Sequence, residues 1–432
     1  MLEFEQDFYI GSFDIDTPNK EIDTLFAEIL KEREEQTSGY YALPFENRAL
    51  QDCEDFIQSR KKVLKKLKNL VIIGIGGSSL GLKAVDCLLR HKPLKKDTQK
   101  NTTFKRPNII FLEHTDALEI PHSLKNCKLK NTLFIAISKS GTTIETSSLL
   151  KYVIDRFGLL DSKKAKKHLA IITDTNSALE HFAKDEDIVY ITITPSVGGR
   201  FSVLSAIGIL PLTLLGYDTC ALLQGAQKFM ELFFTRKEEH ILYKALFLAK
   251  NHTKYPMNVL FSYSSIFKEF NAWFVQLWGE SLGKIDKQGN NVGLSPIGLI
   301  GSIDQHSFLQ LIVQGRADKS VSFLSLTPDS MPKDTPVIPQ LSLTHLQSTD
   351  FVNGTKFAEL LDKQRCATLK TLQAQNIPVD SIELQYLDEM SVGELIAYFE
   401  LLTSATGCAL QINTYDQPGV EFGKKRLRKM FK

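Results

Sequence analysis

The chain lacks a stretch able to cross a bilayer. Its longest apolar run, Phe201 to Tyr217, is interrupted by Pro211 and falls short of the roughly 20 residues a spanning helix needs. It also lacks a dominant charge: 52 Lys and Arg face 50 Asp and Glu, a formal net charge of +2, so neither a nucleic acid nor an acidic partner is implied. The basic runs Arg60 to Lys68 and Lys424 to Lys429 carry aliphatic residues at helical spacing and read as solvated helix faces. None of the cysteines (Cys53, Cys87, Cys127, Cys220, Cys366 and Cys408) stands close enough to another for a CxxC metal or redox motif. Nothing suggests a disulfide framework, which fits a reducing compartment. Met1 to Gly11 is acidic and has no apolar signal core. Short tandem repeats and low-complexity tracts are missing too. These absences together lead to the expectation of a cytoplasmic protein with no membrane and no nucleic-acid partner.

What is present is an ordinary soluble composition, 43% apolar and 24% charged, over 432 residues, enough for two or three domains and a large core. Apolar β-branched runs alternate with amphipathic segments. Leu70 to Ile75, Asn108 to Leu112, Thr132 to Ile137, His168 to Thr173 and Ile188 to Ile193 read as strands, and continuous apolar runs of this kind suit strands covered on both faces. Helical patterns follow at Ser79 to Leu89 and Thr143 to Phe157. A second series, Met257 to Phe261, Gly298 to Ile300, Val321 to Leu326 and Ile382 to Leu384, alternates with helices over Ser264 to Trp278, His306 to Gln314, Gly354 to Gln373 and Val392 to Thr403. The alternation predicts an α/β fold of two α/β/α sandwich domains with mainly parallel sheets. The expected boundaries are a helical segment over 1–60 packing on the core, a first domain over 61–217 and a second over 218–432.

Two glycine-rich loops follow strands and open helices. Gly74-Ile75-Gly76-Gly77-Ser78-Ser79-Leu80-Gly81 lets backbone N–H groups approach an anion. It fails the dinucleotide pattern at Ser79 and the P-loop pattern at Leu82, which disfavours a nucleotide-binding dehydrogenase. Ser138-Lys139-Ser140-Gly141-Thr142-Thr143 gathers four hydroxyls, an ammonium and a glycine, more than a helix cap requires, and suits a phosphate monoester without a metal. Both loops sit at carboxyl ends of candidate strands, where open α/β sheets bind ligands. Gly198-Gly199-Arg200 places a cation before an apolar helix, an unfavourable position unless an anion is near. Gln276 and Glu280 are four residues apart on one helix face, and Glu280 lies just before Gly283 can end that helix. The outward carbonyls there oppose negative charge, which suits a general base. His306, read as opening a helix, and Lys424, two turns beyond Gln417, carry no signal of their own; on spacing alone a structural histidine and a solvated lysine are the plainer readings.

In order along the chain, GIGGSSLG (74–81), SKSGTTIET (138–146), VGGRFS (197–202), QLWGESLGK (276–284), DQHSFLQLIVQG (304–315) and QPGVEFGK (417–424) resemble the glucose-6-phosphate isomerase family in its short bacterial form. The resemblance implies sugar-isomerase-type domains and reversible conversion of glucose 6-phosphate to fructose 6-phosphate through a cis-enediol, in glycolysis and gluconeogenesis, with no metal and no cofactor. It implies Glu280 as the base, Arg200 as the stabiliser of negative charge, and His306 and Lys424 in ring opening. Ser138, Lys139, Ser140 and Thr143 match phosphate-binding positions. Gly77, Ser78 and Gly199 match sugar-phosphate contacts, and Gln276 and Gln417 match substrate-binding glutamines. It further implies a homodimer whose histidine reaches the neighbouring subunit's site. An isomerase that also takes mannose 6-phosphate, and a non-catalytic sugar-phosphate sensor on the same fold, remain open alternatives; no basic helix-turn-helix supports the sensor.

Overall fold

A computed structural model describes residues 2–7, 20–92, 105–330 and 334–431. Strand β1 (Leu2–Asp7) comes first. Strands β2 (Asn69–Ile73), β3 (Asn108–Leu112), β4 (Thr132–Ser138), β5 (Leu169–Asp174) and β6 (Val189–Ile193) follow. After them come β7 (Met257–Tyr263), β8 (Lys284–Ile285), β9 (Asn291–Val292), β10 (Ser295–Ile300), β11 (Lys319–Leu326) and β12 (Val379–Leu384). The chain separates into two compact units, one of Glu32–Lys228 and one of Met1–Lys31 with Phe229–Lys432.

In the Glu32–Lys228 unit the strand order is β3-β2-β4-β5-β6, all parallel. Every residue of β2 and β4 is buried, as expected for strands covered on both faces. One core joins Val71, Phe134, Ala136 and Ile171 of the sheet to Leu149, Leu150 and Val153 of the Ile144–Phe157 helix. Chain order runs outward in opposite directions from β2 and β4, so the topological switch point lies between them. The two glycine-rich loops leave the sheet at that point.

In the other unit the order is β1-β12-β11-β7-β10, parallel except for β1, which runs antiparallel to β12. Strand β1 lies within the first 60 residues, read from sequence as mainly helical. Its Leu2 is buried, and the Phe4 ring stacks on His240 at 4.6 Å. The hairpin β8–β9, two residues per strand, is also absent from the sequence reading. The Glu389–Ala409 helix runs longer in both directions than its apolar pattern: Asp388 caps its start by accepting from the Ser391 amide at 2.8 Å, and its far end closes only where Gln411 turns the chain at a φ of +56° and the Ile412 amide donates to the Gly407 carbonyl at 3.1 Å. Beneath it lie buried charges: Lys244 donates to Asp380 at 2.6 Å and to Ser322 at 2.8 Å, so the cation is paired and hydrogen-bonded. Glu400 on the same helix is fully buried with no hydrogen-bond partner among the described residues, and burial pushes its carboxyl well above the usual range. No helix among the described residues is long and apolar enough to cross a membrane.

Candidate functional site

The Glu32–Lys228 unit brings three loops together at the carboxyl end of its sheet. Gly77 and Ser78 lie in a single 3-10 turn after β2, and Gly199 and Arg200 in another after β6. The two turns touch. A Cβ on Gly77 would stand 2.2 Å from the Gly199 carbonyl carbon, so only glycine permits this approach. The Ser202 hydroxyl reinforces it by donating to the Gly199 carbonyl at 2.6 Å and more weakly to that of Gly77 at 3.4 Å. Gly74 packs closely on β4 as well: its Cβ would meet the Ile137 carbonyl oxygen at 2.8 Å. Arg200 is almost wholly buried, 3% exposed, with its guanidinium 5.6 Å from the Phe201 ring centroid.

The 138–143 loop has free capacity for an anion. Thr143 occupies the N-cap position of the Ile144–Phe157 helix without capping it; its hydroxyl instead accepts from Ser138 at 3.1 Å. The Ser140 hydroxyl accepts from the Thr142 amide at 3.3 Å and the Thr142 hydroxyl at 3.1 Å. Gly141 supplies the positive φ of +68° that turns the chain back. Helix amides without a side-chain cap favour an anion at this end. Lys139 donates to the Pro195 carbonyl at 2.6 Å and lies 4.0 Å from Asp174. Burial lowers the pKa of its ammonium; Asp174 opposes that and Arg200 adds to it. Asp174 itself is pushed up to about 6 by burial, with Lys139 pulling the other way. Asp174 was not singled out from sequence, although a carboxylate closing a buried strand was a visible signal.

In the other unit the helix carrying Gln276 and Glu280 spans Lys268–Leu282, preceded by a 3-10 turn over Ser265–Phe267. The sequence reading started it at Ser264 and ended it at Trp278; it begins later and runs one turn further, to a Gly283 C-cap. Gln276 donates to Glu280 at 3.3 Å, so the pair shares a face as its spacing requires. An open groove lies beside it, lined by Glu280, Lys284, Val292, Asp416, Gln417 and Gly419 among others. Lys284, to which the sequence reading gave no role, lines this groove. Its ammonium donates to the carbonyls of Asn413 and Asp416 at 2.8 Å and pairs with the Asp416 carboxylate at 3.3 Å. That pins the turn bearing Gln417 to the end of the Glu280 helix.

His306 and Lys424 do not line this groove. Lys424 is exposed on the Glu421–Met430 helix and donates to Glu421 at 2.7 Å. His306 does not open an α-helix, contrary to the sequence reading. It ends a 3-10 turn, Ile303–His306, and the next helix is the short Leu309–Gln314. Asp304 closes that turn by accepting from the Ile300 amide at 2.7 Å and the Ser307 hydroxyl at 2.7 Å. The turn therefore follows the carboxyl end of β10. Glu280 lies by the opposite end, because a Cβ on the adjacent Gly279 would stand 3.8 Å from Pro296, the second residue of the same strand. A six-residue strand rises roughly 17 Å, so within one copy Glu280 and His306 belong to opposite ends of the sheet.

The family model described as phosphoglucose isomerase matches residues 46–432. The glucose-6-phosphate isomerase of Campylobacter jejuni is 41% identical over 413 residues, covering 94% of this chain and 96% of that protein. Among solved structures, a hypothetical protein from Thermus thermophilus superposes with a TM-score of 0.86 at 29% identity, with 100% of both chains covered. A glucose-6-phosphate isomerase from Chlamydia trachomatis shares the fold, with a TM-score of 0.75 at 22% identity over 95% of this chain and 85% of that one. The same six motifs that close the two sheets' loops and the Glu280 groove fall inside the matched region, and the chain belongs to the phosphoglucose isomerase family.

Proposed function

We propose that the protein interconverts glucose 6-phosphate and fructose 6-phosphate, in glycolysis and gluconeogenesis, as a cytoplasmic homodimer. The observation that carries this reading is the Gln276–Glu280 pair held at a helix end over an open groove, in a chain of this family. Glu280 takes the proton from C2 of the open-chain aldose while the carbonyl oxygen gains one, giving a cis-enediol. The same carboxyl then returns its proton to C1, and loss of the O2 proton leaves the ketose. Arg200 stabilises the negative charge of the intermediate. The 138–143 loop holds the remote phosphate, and orientation by that loop contributes to rate. Gly77, Ser78 and Gly199 contact the sugar phosphate, Gln276 and Gln417 its hydroxyls, and His306 and Lys424 assist ring opening. The roles of His306 and Lys424 rest on family likeness.

The test is conversion of fructose 6-phosphate to glucose 6-phosphate, reported by a coupled dehydrogenase, with no metal or nucleotide added to the isomerase itself. Rapid turnover is expected. A folded protein that binds the sugar phosphate without turning it over is instead a sensor. Running mannose 6-phosphate beside it separates the broader isomerase.

The placement of His306 and Glu280 at opposite ends of one sheet supports a site completed by a second copy. Mixing Glu280→Gln with His306→Ala subunits tests this. Each is expected to be inactive alone. A hybrid dimer restores one intact site, so random exchange of the two should recover about a quarter of wild-type activity, as an isologous pair of sites requires. No recovery after verified exchange would leave both groups within one subunit's site.

A further inference from the structure

Asp174 has no role in the reaction as described, yet it is built into the loop that faces the substrate's phosphate. Its amide donates to the Lys139 carbonyl at 3.2 Å. The neighbouring Thr173 hydroxyl donates to the Ser138 carbonyl at 2.7 Å, and Ser138 and Thr173 are register partners in the parallel β4–β5 pair. The Asp174 backbone is therefore tied to the first two residues of the loop. One oxygen, Oδ2, lies 4.0 Å from the Lys139 ammonium. The other, Oδ1, is buried and accepts no hydrogen bond among the described residues. A carboxylate so placed is compensated by a single cation, and an uncompensated buried charge neutralises itself instead.

The surroundings offer little else. Lys139 faces Asp174 from the loop after β4, and Arg200 faces Lys139 from the turn after β6. On the Ala178–Asp185 helix, Glu180 and Lys184 are paired with each other at 2.9 Å, His181 acts on Glu180, and Asp185 lies at the helix's far end. On the β6 side Asp174 registers with Ile193, which carries no charge.

We propose that Asp174 is an internal counter-charge for Lys139: while the 138–143 loop is empty its carboxylate, 4.0 Å away, offsets the ammonium that the Pro195 carbonyl anchors, and it takes up a proton when a phosphate dianion arrives. This rests on the reading that the loop binds phosphate. An arriving dianion draws the Lys139 charge to itself and adds like charge beside Asp174. Both effects favour the neutral carboxyl. Protonated, the group ceases to repel the anion and carries an O–H donor in place of an acceptor. With the empty-state carboxyl titrating near 6, anion affinity should strengthen as pH falls toward that value.

Sulfate is the suitable probe, because it remains a dianion across this range and contributes no titration of its own. Its inhibition constant against fructose 6-phosphate would be measured from pH 5.5 to 8 for wild type and Asp174→Asn. In the wild type, sulfate should bind about tenfold more tightly at the acid end, the factor that a one-unit shift in Asp174 produces. The asparagine variant should lose that dependence and bind sulfate at pH 8 nearly as the wild type does at pH 5.5. Calorimetry of sulfate binding to the wild type at pH 6.5, in two buffers of different ionisation enthalpy, should show uptake of about half a proton per site.

Identical pH dependence in the two proteins, weaker binding by the variant at every pH, or no proton uptake would each overturn the role of Asp174 while leaving the loop as the anion site. If sulfate competes with substrate in neither protein, the loop reading fails and the proposal falls with it.

Discussion

Glu280→Gln is expected to lower kcat for fructose 6-phosphate isomerisation by about 10²–10⁴-fold, the contribution a general base usually makes, while KM changes little. The substitution is nearly isosteric. Glutamine keeps an oxygen that can accept from Gln276, as Glu280 does at 3.3 Å, so the helix end and the groove beside it should stay in place. What is lost is the ability to hold a proton between its removal from C2 and its return to C1. The measurement is steady-state kinetics in the coupled assay, joined to exchange of the C2 hydrogen in heavy water. Exchange should disappear together with turnover. A variant within tenfold of wild-type kcat would remove Glu280 as the base.

Arg200→Ala is expected to cost about 10²–10³-fold in kcat, the usual loss when a donor to a developing oxyanion is removed. Arg200→Lys should fall between the two, because an ammonium supplies charge without the planar fork of donors. Arg200 is buried at the turn that contacts Gly77, so truncation could also loosen that turn. The Lys variant separates the effects: it retains a long cationic side chain. Thermal unfolding should show it close to wild type while kcat is reduced. A kcat that tracks thermal stability across both variants, with no separate loss, would make Arg200 structural.

The sheets were legible because their central strands carry almost nothing but apolar residues. Leu70 to Ile73 and Leu133 to Ile137 are buried on both faces, and such runs have few other places to go. The loop over 138–143 was legible as a loop for the opposite reason: six polar or glycine residues interrupt an apolar pattern where a parallel strand must end. The Gln276–Glu280 pair followed from helical spacing alone. The environment of His306 was not legible. Asp304 directs its carboxylate to Ile300 and Ser307, which closes a 3-10 turn that local spacing cannot distinguish from a first α-helical turn. Lys284 was visible as a residue but not as a clamp, since its partners lie in a turn more than a hundred positions away. Lys244 and Asp380 were unreadable as core residues for the same reason: each is tolerable inside only because the other is there.

Strand β1 gives the protein an awkward biosynthetic schedule. It leaves the ribosome ahead of every other described strand, yet its partner is β12, with Leu2 opposite Leu384 and Asp7 opposite Val379. At the usual pace of translation the interval between the two strands is on the order of tens of seconds. Throughout it, the nascent chain carries an unmatched strand bearing Leu2 and Phe4, an edge on which other polypeptides can dock. The Glu32–Lys228 unit has all its strands within one uninterrupted stretch and can assemble while synthesis continues. The flanking unit must wait for the closing segment, so chaperone demand and sensitivity to premature termination should concentrate there.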